Sequence, residues 1–279
     1  MIRNLSVLLL LACAIARADF SYTMTSKSSM GGNPSVSKYY YKGNKMKMEM
    51  SNTVMIMDFD SQIITTLNPQ DKSYTVKSFA DANKEAATAT ADVHPEFKDT
   101  GEKKNINGFN ASQLLLTMDV DSGRGGQKMQ MQMEMWISPD VPGVGELRGF
   151  YQRNMNKFPW GTLGEGTNPQ MKAVTIEMYK KLAQMNGTAV LEVMHMKMGG
   201  AGAPDPSADP RMAAARVRLE EMAKQGGQQG EIAKQQLARM GAMSGGGGGG
   251  MQITIEGSGF SPAPVPDSIF AIPGDYKKR

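Results

Sequence analysis

From Phe20 onward the chain alternates apolar and polar side chains with a period of two, which predicts half-buried β-strands. Phe20, Tyr22 and Met24 are interleaved with small polar residues, and Gly31-Gly32-Asn33-Pro34 then supplies a turn. A second strand is expected over residues 36–41. A third falls at Lys45-Met46-Lys47-Met48-Glu49-Met50, where opposite projection of successive side chains makes one face thioether and the other charged. Apolar runs at 54–59 and 62–67, and a strand at 74–79 after the turn Asn68-Pro69-Gln70-Asp71-Lys72-Ser73, extend this into an antiparallel meander. Residues 80–104 carry no strong period, and helix and surface excursion both stay open there.

Residues 105–110 predict a short strand and turn. Residues 114–120 predict a strand that pairs, through Asp121-Ser122-Gly123-Arg124-Gly125-Gly126, with residues 128–137. On the returning strand Met129, Met131, Met133, Met135 and Ile137 share one face, opposite Gln130, Gln132, Glu134 and Trp136. Asn168-Pro169 reads as an N-cap with proline at the first helical position. Met171, Val174, Met178, Leu182 and Met185 then recur at helical spacing until Asn186-Gly187, an amphipathic helix of about five turns. Residues 188–198 return to strand, with Met194, Met196 and Met198 on one face and His195 and Lys197 on the other. Residues 199–250 hold 13 of the 31 glycines, including a run of six from Gly245, and are expected to be a flexible insertion with short helices at 210–224 and 231–243. Beyond it lie a strand containing Met251, Ile253 and Ile255 and a closing segment at 265–276 punctuated by Pro266 and Pro273. The expected fold class is mainly β with α, in one domain formed by residues 19–198 and 251–279.

The first eighteen residues change the picture of where the protein works. Arg3, an apolar stretch over residues 5–15 and Ala16-Arg17-Ala18 ahead of Asp19 read as a secretory signal peptide, too short to span a bilayer. The expected address is exported, periplasmic or extracellular. Leu10-Leu11-Ala12-Cys13 offers a competing cut that would leave a lipid anchor on Cys13, the only cysteine. With the preferred cut no disulfide or thiolate chemistry survives. The leader carries Arg3 and Arg17 of the 31 basic residues, leaving 29 against 27 acidic ones, a balance that does not argue for nucleic acid.

The compositional anomaly is 25 methionines in 279 residues. Met46, Met48, Met50, Met55, Met57, Met129, Met131, Met133, Met135, Met194, Met196 and Met198, with Met178 and Leu182 of the helix, are the candidates for a ligand cavity. Thioethers are unbranched and polarisable and re-pack around flexible chains, and for the same reason they fill cores, so both uses stand. Burying ten methylenes at roughly 0.8 kcal/mol each gives about 8 kcal/mol, near micromolar binding before ordering costs. The other functional reading is a Cu(I) or Ag(I) site at Met194 and Met196 with His195, since thioethers favour soft ions, although alternation projects His195 to the opposite face. No Gly-x-Ser-x-Gly elbow, His-Glu-x-x-His helix or calcium loop is present, His94 and His195 are the only histidines, and the carboxylate pairs Asp58/Asp60 and Asp119/Asp121 sit at strand ends or turns. No catalytic residue, no cofactor and no enzymatic activity are expected. Arg211, Arg216 and Arg218 beside Met212, Ala215, Leu219 and Met222 suggest either a solvated helix or peripheral contact with anionic lipid.

Several local strings coincide in order: Tyr39-Tyr40-Tyr41-Lys42-Gly43-Asn44-Lys45-Met46, Asp58-Phe59-Asp60 ahead of Tyr74-Thr75-Val76, Ile106-Asn107-Gly108-Phe109, Glu134-Met135-Trp136-Ile137-Ser138-Pro139, and Val265-Pro266-Asp267-Ser268-Ile269-Phe270-Ala271-Ile272-Pro273-Gly274-Asp275-Tyr276. Together they resemble the bacterial exported family known as domain of unknown function 4412. That family looks related to the lipoprotein-carrier fold, so the resemblance implies a strongly curved antiparallel half barrel with helices in or over its concave face. No functional residues carry over from it. The function expected is an exported carrier that binds lipid, a lipoprotein acyl chain or another lipidated partner. Alternatives are a methionine-based soft-metal binder and a structural envelope protein with a methionine-rich core.

Overall fold

The computed structural model describes residues 19–87, 95–121, 128–160, 169–198, 210–225, 227–244 and 250–279. Outside them lie the expected leader, the turn at 122–127, the helix cap Asn168 and the glycine run up to Gly249. The described residues form one sheet of twelve strands with five α-helices. The strands are β1 (Asp19–Ser28), β2 (Ser35–Lys42), β3 (Lys45–Glu49), β4 (Val54–Asp58), β5 (Ile63–Asn68), β6 (Ser73–Ser78), β7 (Glu96–Ile106), β8 (Phe109–Asp121), β9 (Lys128–Ser138), β10 (Thr188–Met198), β11 (Gly250–Ser261) and β12 (Lys277–Lys278). Their spatial order is β12-β6-β5-β4-β3-β2-β1-β11-β10-β9-β8-β7.

Two meanders build this order. β1 to β6 step outward in one direction, β7 to β10 step inward from the other edge, and β11 fills the place between β10 and β1, pairing antiparallel with both. The two-residue β12 is the one parallel partner, alongside β6. The expected strongly curved half barrel is not what forms: the sheet is open, with β7 and β12 as its two edges, and is not strongly curled. The β7 edge can stay unpaired because Lys98, Asp99, Glu102, Lys103 and Lys104 keep it charged and wet. At the β7–β8 turn Asn107 and Gly108 both take positive φ, 52° and 91°, the geometry in which a two-residue hairpin matches strand twist.

The register collects the apolar positions on one face. Met57, Met46, Tyr41 and Phe20 align across β4, β3, β2 and β1. Leu116, Met133, Met194 and Ile253 align across β8, β9, β10 and β11, and Met118, Met131, Met196 and Met251 form the next row. The expected pairing of 114–120 with 128–137 is therefore found, within longer strands.

Helices cover this face. α1 (Phe79–Ala87) follows β6, and with β7 it resolves the open stretch 80–104 outside residues 88–94. α2 (Val144–Asn154) has no counterpart in the sequence pattern, because Gly145 and Gly149 and polar residues dilute its apolar positions. Leu147 and Phe150 nevertheless seat it on the sheet, Phe150 packing edge-on to Tyr41 at 4.9 Å and to Phe59 at 5.2 Å between ring centroids. α3 (Pro169–Gln184) is the expected amphipathic helix, with Val174 buried on the methionine strands. The core accordingly has an aromatic half, around Phe20, Tyr41, Phe59, Phe150 and Phe158, and a methionine half, around Leu116, Met131, Met133 and Met135.

The expected insertion carries α4 (Pro210–Gln225) and α5 (Gly227–Ser244), both longer than the sequence pattern suggested. A side chain at Gly230 would stand 3.3 Å from the Met222 carbonyl oxygen, so the glycine permits the close approach of one helix to the other.

Candidate functional site

A cavity of about 270 Å³ opens where the two halves of the core meet. Its floor is the sheet: Tyr22 and Met24 from β1, Tyr39 from β2, Met131 and Met133 from β9, Glu192 and Met194 from β10 and Ile255 from β11. Its roof is Leu147, Arg148 and Tyr151 of α2 and Val174, Thr175, Met178, Tyr179, Leu182 and Ala183 of α3. The cavity exists because the floor is made by strand alternation and the roof by two separate helices, and bulky aromatic pairs hold the aromatic side open. Tyr22 and Tyr39 stack at 4.8 Å with planes 7° apart. The Tyr41 and Tyr151 hydroxyls meet at 3.1 Å, tying β2 to α2, and Tyr151 and Tyr179 join α2 to α3 at 5.8 Å between centroids.

Five of the candidates chosen from sequence line this space: Met131, Met133, Met178, Leu182 and Met194. Met46 and Met57 are buried beneath the aromatic half, and Met135 is fully buried in the methionine half. Met48, Met55, Met129 and Met196 are half-buried outside the cavity lining. Met50 falls just beyond the end of β3 and is exposed, so the expected third strand is one residue shorter than the pattern implied. Met198 ends β10, but its side chain, like that of Met171, lies outside the described residues.

The sequence reading missed the tyrosines, Met24 and Glu192. A signal for Glu192 was present: it shares parity with Met194 and Met196, so alternation places a carboxyl among thioethers. In the register it aligns with Ile255 on one side and with Met135 and Leu114 on the other. It is 9% exposed, and burial alone pushes its carboxyl up to about 7. Neither a hydrogen bond nor a neighbouring charge contributes to that rise. Its charge acts on Tyr39, whose phenol is pushed up to about 12 by burial first and by Glu192 second, and on Tyr179, likewise raised mainly by burial. Arg148 directs Nη1 to Asn186 Oδ1 at 3.0 Å.

His195 stands on the other face of β10, its Nε2 4.0 Å from Glu134 Oε1, separated by the sheet from Met194 and Met196. Among the described residues no group of three or more His, Cys, Asp or Glu side chains could hold a metal ion. Asp58 serves a turn, its Oδ1 accepting the Asp60 and Ser61 amides, which with Lys45 lower its carboxyl against the opposing effect of desolvation.

The architecture so far defines a class: a mainly β domain with an open antiparallel sheet, helices on one face and an apolar cavity between the two layers. Residues 20–198 match the family described as Domain of unknown function (DUF4412), and the chain belongs to that family. No curated protein matches the chain. The family match ends with β10, so β11, which completes the centre of the sheet, lies beyond it.

Proposed function

We propose that the protein is an exported, non-enzymatic binding protein that takes an apolar chain, such as that of a lipid or a lipidated partner, between its methionine-lined sheet face and helices α2 and α3. The observation that carries this reading is the cavity itself, floored by Met24, Met131, Met133 and Met194 and roofed by Met178 and Leu182. At about 30 Å³ per water-sized group it accepts about nine such groups. Eight methylenes at roughly 0.8 kcal/mol each give about 6 kcal/mol, on the order of tens of micromolar before ordering costs. Kinship to the lipoprotein-carrier fold belongs to the same proposal and is supported by the general plan of an antiparallel sheet with helices on one face. Export is supported by the leader pattern, and by Asp19 at its expected cut. Its buried Oδ1 finds no protein donor among the described residues, and a new α-ammonium on the same residue would supply one.

The test is uptake of a fluorescent fatty acid by purified protein, with native mass spectrometry of material taken from an envelope fraction. Uptake that is lost in Ala183→Trp, which fills the roof of the cavity, supports the reading; no uptake and no co-purified lipid overturns it. A soft-metal reading has one observation in its favour, the paired register of Met133 with Met194 and Met131 with Met196. Replacing these four with leucine separates the two: an apolar site keeps its ligand, whereas a Cu(I) or Ag(I) site loses its ion.

A further inference from the structure

We propose that the cavity selects an amphiphile whose head is a primary ammonium, the head pairing with the Glu192 carboxylate while the chain lies along Met131, Met133 and Met194. This rests on the cavity being a site for an apolar chain, and it adds which head group enters with that chain.

The placement of Glu192 carries the inference. Strand alternation offered position 193, on the opposite face beside the half-exposed Glu134; position 192 instead points between Ile255 and Met135 into the cavity. An apolar side chain there would simply continue the Leu114, Met135 and Ile255 row. A carboxylate taken from water and left without a donor is costly, and an ammonium carries three N–H donors and the compensating charge. An anionic head would face repulsion from the same group and could gain only from Arg148 of the roof, whose guanidinium already donates to Asn186 Oδ1, and an alcohol would satisfy Glu192 with one donor and no charge.

The groups that face Glu192 from each packed element leave the pH response to Glu192 alone. Tyr22 of β1, Tyr39 of β2, Tyr151 of α2 and Tyr179 of α3 are all phenols held neutral by burial. Arg148 of α2 also lines the cavity and donates to Asn186 Oδ1. Met135 of β9 and Ile255 of β11 do not titrate. With the carboxyl raised to about 7, its ionised fraction falls about 30-fold between pH 8.5 and pH 5.5. The affinity for an alkylammonium should fall by about the same factor.

The experiment is calorimetric titration of the full chain with octylamine, octanol and octanoate at about pH 5.5 and about pH 8.5, repeated on Glu192→Gln. Octylamine should bind at least tenfold more tightly than octanol at the higher pH, lose that advantage at the lower pH, and show neither preference nor pH dependence in the variant. Equal binding of the three probes, a preference for octanoate, or an amine preference that survives Glu192→Gln overturns the head-group inference while leaving the apolar cavity standing. Failure of every probe to bind in both proteins overturns the inference together with the reading it rests on.

Discussion

Glu192 makes the pH dependence of stability calculable. Its carboxyl moves from an ordinary 4.5 to about 7 on folding, so between those values the folded chain holds a proton that the unfolded chain has released. The sign follows: stability contributed by the neutral acid is fully present below about pH 4.5 and is lost as pH rises through about 7. The difference of about 2.5 pH units corresponds to about 3 kcal/mol by pH 8. Glu192→Gln removes the ionisation while keeping size and polarity, so the variant should be more stable than the parent by about 3 kcal/mol at pH 8. At pH 5 the advantage should shrink to about 1 kcal/mol or less. For a chain of this length that corresponds to roughly 6–12 °C in Tm at the higher pH. Urea unfolding of both proteins at half-unit steps from pH 4.5 to pH 8.5 measures it. Taking the difference at each pH cancels groups such as Asp58, whose lowered carboxyl works in the opposite direction. A difference that stays constant with pH, or a variant that is weaker at pH 8, would refute the claim that Glu192 sits desolvated in the cavity.

Two substitutions test the packing around that site. Asp19 Oδ2 accepts the buried Val265 amide at 2.7 Å, so Asp19→Ala should cost about 1–3 kcal/mol in urea unfolding, whereas Asp60→Ala, in an exposed turn, should cost well under 1 kcal/mol. Gly143 has φ of 81°, and a side chain there would stand 2.8 Å from a carbon of the buried Phe20 ring. Gly143→Ala should therefore cost at least 1 kcal/mol more than Gly31→Ala, which has similar φ and open space around it.

Much of the sheet was legible because two-residue alternation is a local signal. Met129 to Ile137 announced their shared face without any knowledge of a partner, and α3 announced itself by Val174, Met178 and Leu182 at helical spacing. The cavity was less legible because it depends on which elements meet. Tyr22, Tyr39, Tyr151 and Tyr179 lie on four elements and converge only after β11 seats β1 beside β10 and α2 crosses the aromatic rows. α2 itself was hidden: Gly145 and Gly149 weaken its propensity, and tertiary burial of Leu147 and Phe150 stabilises it instead. The strongly curved sheet came from family resemblance, and no residue pattern in the strands themselves required it.

The position of β11 leads to a last prediction about what constitutes the folding unit. The family match covers residues 20–198, yet the strand after it pairs with both β1 and β10 and contributes Ile255 to the cavity floor. A chain ending at Met198 would leave one edge of each of the long strands β1 and β10 unpaired and uncover the apolar face between them, so it should aggregate or remain unfolded. The intervening residues are a different matter. Lys197 pairs with Gly250 and Met196 with Met251, so β10 and β11 already run as a hairpin and need no long connection. An Asn-Gly dipeptide in place of residues 199–248 preserves that register with a two-residue turn. The shorter loop lowers the closure entropy by about 3 kcal/mol, to be set against the packing of α5 on β11 that is removed. The excised protein should therefore fold cooperatively, with a melting temperature equal to or above that of the parent, and should retain uptake of a fluorescent fatty acid. Circular dichroism melts and size-exclusion chromatography of both shortened chains decide the matter. A cooperatively folded 19–198 fragment would show that β11 is dispensable, and an excised chain that fails to fold would show that α4 and α5 belong to the same cooperative unit as the sheet.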